Sequence, residues 1–204
     1  MEMMIETHLS FYDLPLPDAQ IRYYPYIPLK YSNSYLFEAL LQETIWEQKS
    51  IKIYGVDCPQ PRLVAWYGEH SYTYSGLKWL PRPMTPLLAY LCQHVSQIAQ
   101  EPFNGVLLNY YKDGSSSIGM HADDEIEFGP KPVIASFSLG EMRKLSFKHQ
   151  FKKDVKYDLN LSDGSLLIMK GTTQDYYKHG IAKTKQPVGP RINLTFRNIK
   201  FPQA

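Results

Sequence analysis

The chain has 204 residues, 44% of them hydrophobic, which is enough for one substantial core and gives no reason to expect two. Its formal net charge of +2 permits an anionic partner without requiring one. Two cysteines, Cys58 and Cys92, exclude a disulfide-stapled framework or a cysteine zinc cluster; with no basic leader and no long apolar run, the expectation is a reduced, intracellular, monomeric protein of cytoplasm or nucleus, with no membrane partner.

Residues 1–31 carry Pro15, Pro17, Pro25 and Pro28 among aromatics, and proline's fixed φ and missing N–H predict an irregular strap over the surface. Between 33 and 49, Leu36, Phe37, Leu40, Leu41 and Ile45 fall on one stripe, which predicts an amphipathic helix capped by Asn33 or Ser34. Residues 51–83 are rich in Pro, Tyr and Trp and read as short strands and loops that could form a lid. A second helix follows, with Thr85 as cap, Pro86 at its first position, and Leu87, Leu88, Leu91, Val95 and Ile98 on the buried face.

After residue 103 the runs VLLNYY, VIASFSL, RKLSFK, VKYDL, GSLLIMK and INLTFRNI alternate with turn-forming segments, the pattern of an antiparallel sandwich or jelly roll. The class is therefore α+β in a single domain. Residues 1–50 are an N-terminal extension and first helix, 51–102 a lid and second helix, and 103–204 a jelly-roll core backed by two or more helices.

The stretch GMHADDE sets His121 two positions before Asp123, and residues two apart on an extended segment point the same way. With this composition about 0.6 such pairs arise by chance, so the pair needs a third donor from elsewhere. His179 in YYKHGI is the best candidate, followed by Gly180, which permits close backbone approach. Two imidazoles and a carboxylate leave one face of an octahedral ferrous ion open, although zinc also suits the ligand types. Both histidines must be neutral to bind, so occupancy should fall in acid.

In PRINLTFRN, Arg191, Asn193, Thr195 and Arg197 alternate with Ile192, Leu194 and Phe196. One reading is a sheet with one wet side. The other is an anion clamp: Arg191 lies twelve residues after His179, close enough for a hairpin to return it to the metal, and arginine grips carboxylates bidentately. A metal with open positions beside such a clamp suits a dicarboxylate oxo acid, and 2-oxoglutarate fits. Asn109 and Tyr111 share one face of LLNYYKDG and could hydrogen-bond the same acid.

Taken together, NYYKDG at 109–114, HADDE at 121–125, GSLLIM at 164–169, His179 and PRINLTFR at 190–197 resemble the AlkB family of Fe(II)/2-oxoglutarate nucleic-acid dealkylating dioxygenases. The resemblance spans roughly residues 50–200 and is closest to the branch that repairs duplex DNA. It implies a double-stranded β-helix in which His121, Asp123 and His179 hold the catalytic iron and Asn109, Tyr111, Arg191, Asn193 and Arg197 contact 2-oxoglutarate. The implied reaction is oxidative demethylation of 1-methyladenine and 3-methylcytosine type lesions with O2, releasing formaldehyde, succinate and CO2. The implied partner is DNA, duplex and single-stranded, with RNA as a further possibility.

The same resemblance puts Glu125 near the damaged base, whose positive charge and exocyclic amino group favour a carboxylate. Tyr72 and Tyr74 match positions of a nucleotide-recognition lid, with Tyr74 stacking the flipped base against His121, and Arg62 matches a basic lid position. Tyr54 falls where duplex-specific relatives carry an intercalating finger, and it reads equally well as a core residue.

One departure is that duplex-acting relatives carry three consecutive basic residues where this chain has Lys183, Thr184, Lys185 and Gln186. RKLSFKHQFKKDVK at 143–156, with six Lys or Arg, could contact phosphate instead, or could be a solvated edge. Other readings are a same-fold oxygenase acting on RNA, protein or a small molecule, and a non-catalytic jelly-roll binding module.

Overall fold

The computed structural model describes residues 9–53, 56–74 and 77–200, with backbone alone at 51–53, 57, 72–74, 77 and 78. In chain order the elements are β1 (Tyr12–Asp13), β2 (Gln20–Tyr24), α1 (Asn33–Glu43), β3 (Ser50–Ile53), β4 (Val56–Pro59), β5 (Leu63–Gly68), β6 (Tyr72–Tyr74) and β7 (Leu77–Trp79). Then come α2 (Pro86–Ala99), β8 (Gly105–Tyr111), β9 (Ile118–His121), a 3-10 turn (Ile126–Phe128), β10 (Ile134–Gly140) and β11 (Arg143–His149). The chain closes with β12 (Lys156–Leu161), β13 (Leu166–Lys170), α3 (Thr173–Tyr176), β14 (Tyr177–Ile181) and β15 (Arg191–Arg197).

Two antiparallel sheets face each other: a seven-stranded one in the order β1-β2-β13-β10-β15-β8-β5 and a four-stranded one in the order β12-β11-β14-β9. This is the expected jelly roll. Strand alternation builds two cores from the large sheet. Leu107, Leu167 and Met169 face inward and pack with Leu145, Phe147 and Leu161 of the small sheet. Val106, Leu108, Phe137, Leu194 and Phe196 face outward and pack under Leu36 and Leu40 of α1 and Leu88, Leu91 and Val95 of α2. Among the described residues no helix is long and apolar enough to cross a membrane.

Three expectations are corrected. The N-terminal stretch is not merely a strap: β2 pairs with β13 from Gln20↔Lys170 to Tyr24↔Leu166, so the prolines bracket a strand that joins the large sheet. Similarly, β5 belongs to that sheet beside β8, so among the described residues of 51–83 the hairpins β3–β4 and β6–β7 are the strands that stand apart from the two large sheets. Finally, α1 is capped by Ser32, whose hydroxyl accepts from the Tyr35 amide, and it ends at Glu43 with Ile45 outside and exposed. The second helix is as expected, with Thr85 accepting from the Leu88 amide and Pro86 at its start.

Candidate metal and cosubstrate site

The cavity between the two sheets is where the polar residues of β8 and β15 converge. Register sets Tyr111 opposite Arg191 and Asn109 opposite Asn193, so all four share the inner face. The predicted "wet" side of β15 is therefore the barrel interior, with Arg191 1% and Arg197 2% exposed. The cavity is lined by both metal histidine candidates, Asp123, Asn109, Tyr111 and the polar face of β15.

His121, Asp123 and His179 come together as expected, each offering one ligand atom, with those atoms all within 4.8 Å of one another. His121 ends β9 and His179 lies directly opposite it on β14. Gly180 makes this pairing possible, since a Cβ there would sit 2.8 Å from the Gly119 carbonyl oxygen. The His121 Nδ1–H donates to that same carbonyl at 2.9 Å, which turns Nε2 toward the other donors. Asp123 follows in the loop after β9, and its backbone amide donates to Oε1 of buried Gln174 on α3 at 2.9 Å.

The electrostatics suit a cation. Burial alone would raise the Asp123 carboxyl, but the Arg197 guanidinium, His179 and His121 together hold it below the usual carboxylate range. Arg197 makes an ion pair with Asp123, and His179 Nε2 lies 3.5 Å from the second carboxylate oxygen. Burial and the neighbouring His179 push the His121 imidazole down to about 4, so it is neutral and able to ligate at physiological pH. Two nitrogens and one oxygen form a facial donor set of the kind ferrous iron takes in oxygenases.

The clamp is equally specific. Arg191 Nη2 donates to Ser138 Oγ at 3.0 Å, and the guanidinium lies over the Tyr111 ring at 5.0 Å. Its Nε and Nη1 are buried with no hydrogen-bond partner. Unpaired buried donors of this kind are rare in folded proteins and mark a missing acceptor. A ligand carboxylate fits there.

Comparison with known proteins agrees. A family model described as the 2OG-Fe(II) oxygenase superfamily matches residues 20–197. The chain is 35% identical over 195 residues to the mouse "Alpha-ketoglutarate-dependent dioxygenase alkB homolog 3", covering 91% of this chain and 68% of that protein. It is 39% identical over 158 residues to human "DNA oxidative demethylase ALKBH2", covering 73% of this chain and 60% of that one. The chain belongs to the AlkB family of 2OG-Fe(II) oxygenases.

As an AlkB-family member it is an Fe(II)- and 2-oxoglutarate-dependent dioxygenase. The fold agrees as well: the solved structure of OsALKBH1 superposes with a TM-score of 0.63 over 93% of this chain and 100% of that one, at 15% identity. The chain thus spans about two thirds of the length of its AlkB-family sequence relatives.

The other predicted site residues fall in varied places. Asn193 lines the cavity, but its Nδ2 is already donated to Ser136 Oγ at 2.7 Å and to the Phe137 carbonyl, and its Oδ1 accepts from Thr195. Arg62 is not on a lid surface. It is buried just before β5 and donates from Nε to Asn109 Oδ1 at 2.7 Å, because β5 pairs with β8 and brings the two side by side. Arg191 does not return by a hairpin either; β14 and β15 lie in different sheets.

Glu125 precedes the 3-10 turn, with its Oε2 buried and unpartnered. Burial raises its carboxyl to about 7, with Asp123 and Asp124 adding to the shift and Arg197 opposing it. Tyr72 and Tyr74 lie on β6, paired with β7, and Tyr54 is outside the described residues. Sequence reasoning missed the contacts of Gln174 with Asp123 and of Arg62 with Asn109. Neither has a spacing signal, because each acts through a partner that only the fold brings near.

Proposed function

We propose that this dioxygenase removes methyl groups from the Watson–Crick edge of DNA bases, 1-methyladenine and 3-methylcytosine among them. His121, Asp123 and His179 hold the iron. Arg191 receives the distal carboxylate of 2-oxoglutarate, with Asn109 and Tyr111 supporting it, while Arg197 keeps Asp123 ionised and oriented. When bound, iron, 2-oxoglutarate and O2 supply the oxidising power that hydroxylates the N-methyl carbon, with succinate and CO2 as co-products. The resulting hemiaminal then breaks its C–N bond to give formaldehyde and the unmodified base.

The observation that carries the substrate reading is Glu125, which sits two residues from a metal donor with a buried carboxylate oxygen, Oε2, to which nothing donates. Burial raises its carboxyl, because the pocket solvates that charge poorly. A methylated base is cationic and presents an amino group, so it would return the carboxyl to its ionised form and satisfy it. Neutral, unmodified bases offer only half of that. The free thiols of Cys58 and Cys92 accord with an intracellular setting.

Mass spectrometry of oligonucleotides bearing defined lesions tests the proposal, with wild type, His121→Ala and Glu125→Gln compared on duplex DNA, single-stranded DNA and RNA. Wild type is expected to return methylated DNA to the unmodified mass, His121→Ala to do nothing, and Glu125→Gln to favour cationic lesions less. Succinate formation without repair of any oligonucleotide would reject the nucleic-acid reading while leaving the oxygenase intact. Repair confined to RNA would select the alternative substrate.

A further inference from the structure

Of the three metal-donor candidates, His121 and His179 stand opposite each other on paired strands, but Asp123 lies in the loop between β9 and the 3-10 turn, where no ladder fixes its backbone. A side chain from a distant part of the chain fixes it instead. Gln174 of α3 accepts the Asp123 N–H through Oε1 at 2.9 Å, and the two residues are 2% and 1% exposed. A buried N–H without a strand partner must be met by another acceptor, and a side-chain acceptor holds it only as firmly as that side chain is itself held.

Gln174 is held in turn. Thr173 anchors the start of the single-turn helix α3: its hydroxyl donates to the Lys170 carbonyl at 2.6 Å and accepts from the Gln20 amide of β2 at 3.0 Å. Gln150 anchors the other flank, its backbone amide donating to the Tyr176 carbonyl at 2.7 Å and its Nε2 to the Asp175 carbonyl at 3.1 Å. Gln174 Nε2 donates to Met169 Sδ on the cavity wall at 3.6 Å, which leaves Oε1 as the arm aimed at Asp123. From α3 the chain runs directly into β14, which carries His179. One amide thus ties the loop bearing the carboxylate to the segment bearing the third donor.

The carboxylate end of Asp123 is restrained differently. Arg197 pairs with Oδ1, and His179 Nε2 stands 3.5 Å from Oδ2. Coulombic attraction keeps the charge but follows the loop as it moves, so the distance from carboxylate to imidazoles depends on where the Asp123 backbone stands.

We propose that Gln174 is a positioning residue, presetting the Asp123 backbone so that its carboxylate meets the imidazoles of His121 and His179 before a metal arrives. The proposal rests on the reading of these three side chains as the metal donors. Removing a partner that orients a ligating carboxylate costs about 10- to 100-fold in metal affinity.

Co(II), whose visible bands report the geometry of its ligands, is the probe. Titrated alone into the metal-free full chain, it should bind about 10- to 100-fold more weakly to Gln174→Met, which keeps the length of the side chain and loses the acceptor, with shifted bands. Gln174→Glu returns an acceptor oxygen at the same reach and should recover most of the affinity and the wild-type bands. Thr85→Ala removes the cap of α2, on the outer layer, and should lower Tm while leaving Co(II) affinity and bands unchanged.

Wild-type affinity and bands in Gln174→Met, with only Tm reduced, would make Gln174 a structural residue and overturn the proposal, as would an equal weakening in Thr85→Ala or no recovery in Gln174→Glu. Should Gln174→Met fail to fold, Gln174→Asn, one methylene short of the Asp123 amide, is expected to weaken binding in the same direction, and wild-type binding there would count equally against the idea. A separate result strikes the donor reading itself: His121→Ala binding Co(II) as tightly as wild type would place the metal elsewhere, and the role of Gln174 would fall with that reading.

Discussion

Replacing Arg191 with methionine separates the two things its guanidinium does. In the metal-free fold it is a buried cation with Nε and Nη1 unpartnered, and burial lowers its pKa accordingly. Each unsatisfied buried donor costs about 1–3 kcal/mol, so the two together cost about 2–6 kcal/mol. Against this stand the charged hydrogen bond to Ser138, at about 1.5–3 kcal/mol, and the contact with the Tyr111 ring, at about 0.5–2 kcal/mol. The terms nearly cancel. The ligand-free variant should therefore lie within about 2 kcal/mol of wild type in either direction, far from the loss expected of an ordinary buried arginine whose partner is stranded.

Cosubstrate binding is affected one way only. Two charge-assisted hydrogen bonds at about 1.5–3 kcal/mol each amount to about 3–6 kcal/mol, or a weakening of about 10² to 10⁴ in 2-oxoglutarate affinity. Anaerobic calorimetric melts with Fe(II), with and without 2-oxoglutarate, read both effects. At 100 times Kd the ligand adds about 2.7 kcal/mol to the wild type, and at the same concentration it should add less than about 0.5 kcal/mol to the variant. A variant destabilised by more than about 4 kcal/mol without ligand, yet still stabilised by 2-oxoglutarate as wild type is, would refute the clamp.

Three further outcomes are expected. Arg62→Met frees the Asn109 amide to turn, so the KM for 2-oxoglutarate should rise about tenfold with kcat and the KM for DNA little changed; a lid residue would show the opposite split. Asp123→Ala strips Arg197 of its carboxylate and should cost about 3–5 kcal/mol in urea melts, most of it recovered on adding Arg197→Met; an equal loss in the double variant would show that the ion pair is not the cause. His121 binds its proton near 4 when folded and near 6.5 when unfolded, so the unfolded chain holds more protons between those values. The metal-free protein should lose stability as pH falls through that window, and His121→Ala should flatten that dependence; parallel profiles for the two proteins would contradict it.

The sequence made the candidate metal donors legible because two of them are two residues apart on an extended segment and the third is followed by a glycine. It also showed the polar stripe of β15, since period-two alternation survives in any context. What it could not show was which side of the sheet is inside. In most sheets the polar face is wet, and only the second sheet, with Leu145 and Leu161 closing over the cavity, turns that face into an interior. The strand β2 was hidden by its flanking prolines, which are breakers locally but harmless at strand ends. Arg62 was read as a lid residue because its neighbours in sequence are lid-like, whereas β5 carries it under the sheet to Asn109.

Two arginines at the ends of one strand thus have opposite fates, and the difference explains how the pocket selects its ligand. Arg197 finds its counter-charge within the chain, in Asp123, and that pairing keeps the metal-binding carboxylate ionised before any metal arrives. Arg191 finds none, and the small polar groups that could have relieved it are already engaged: Ser136 accepts from Asn193, and Asn193 accepts from Thr195. Had the chain supplied an acid there, the fold would gain a buried pair and the cavity would lose its reason to admit an anion. Because the acceptor must come from outside, a ligand gains most when it offers one carboxylate to Arg191 and a chelating end to the donors beyond it. A monocarboxylate would satisfy only half of that arrangement, so on the proposed reading it is the unmatched guanidinium that selects a dicarboxylate.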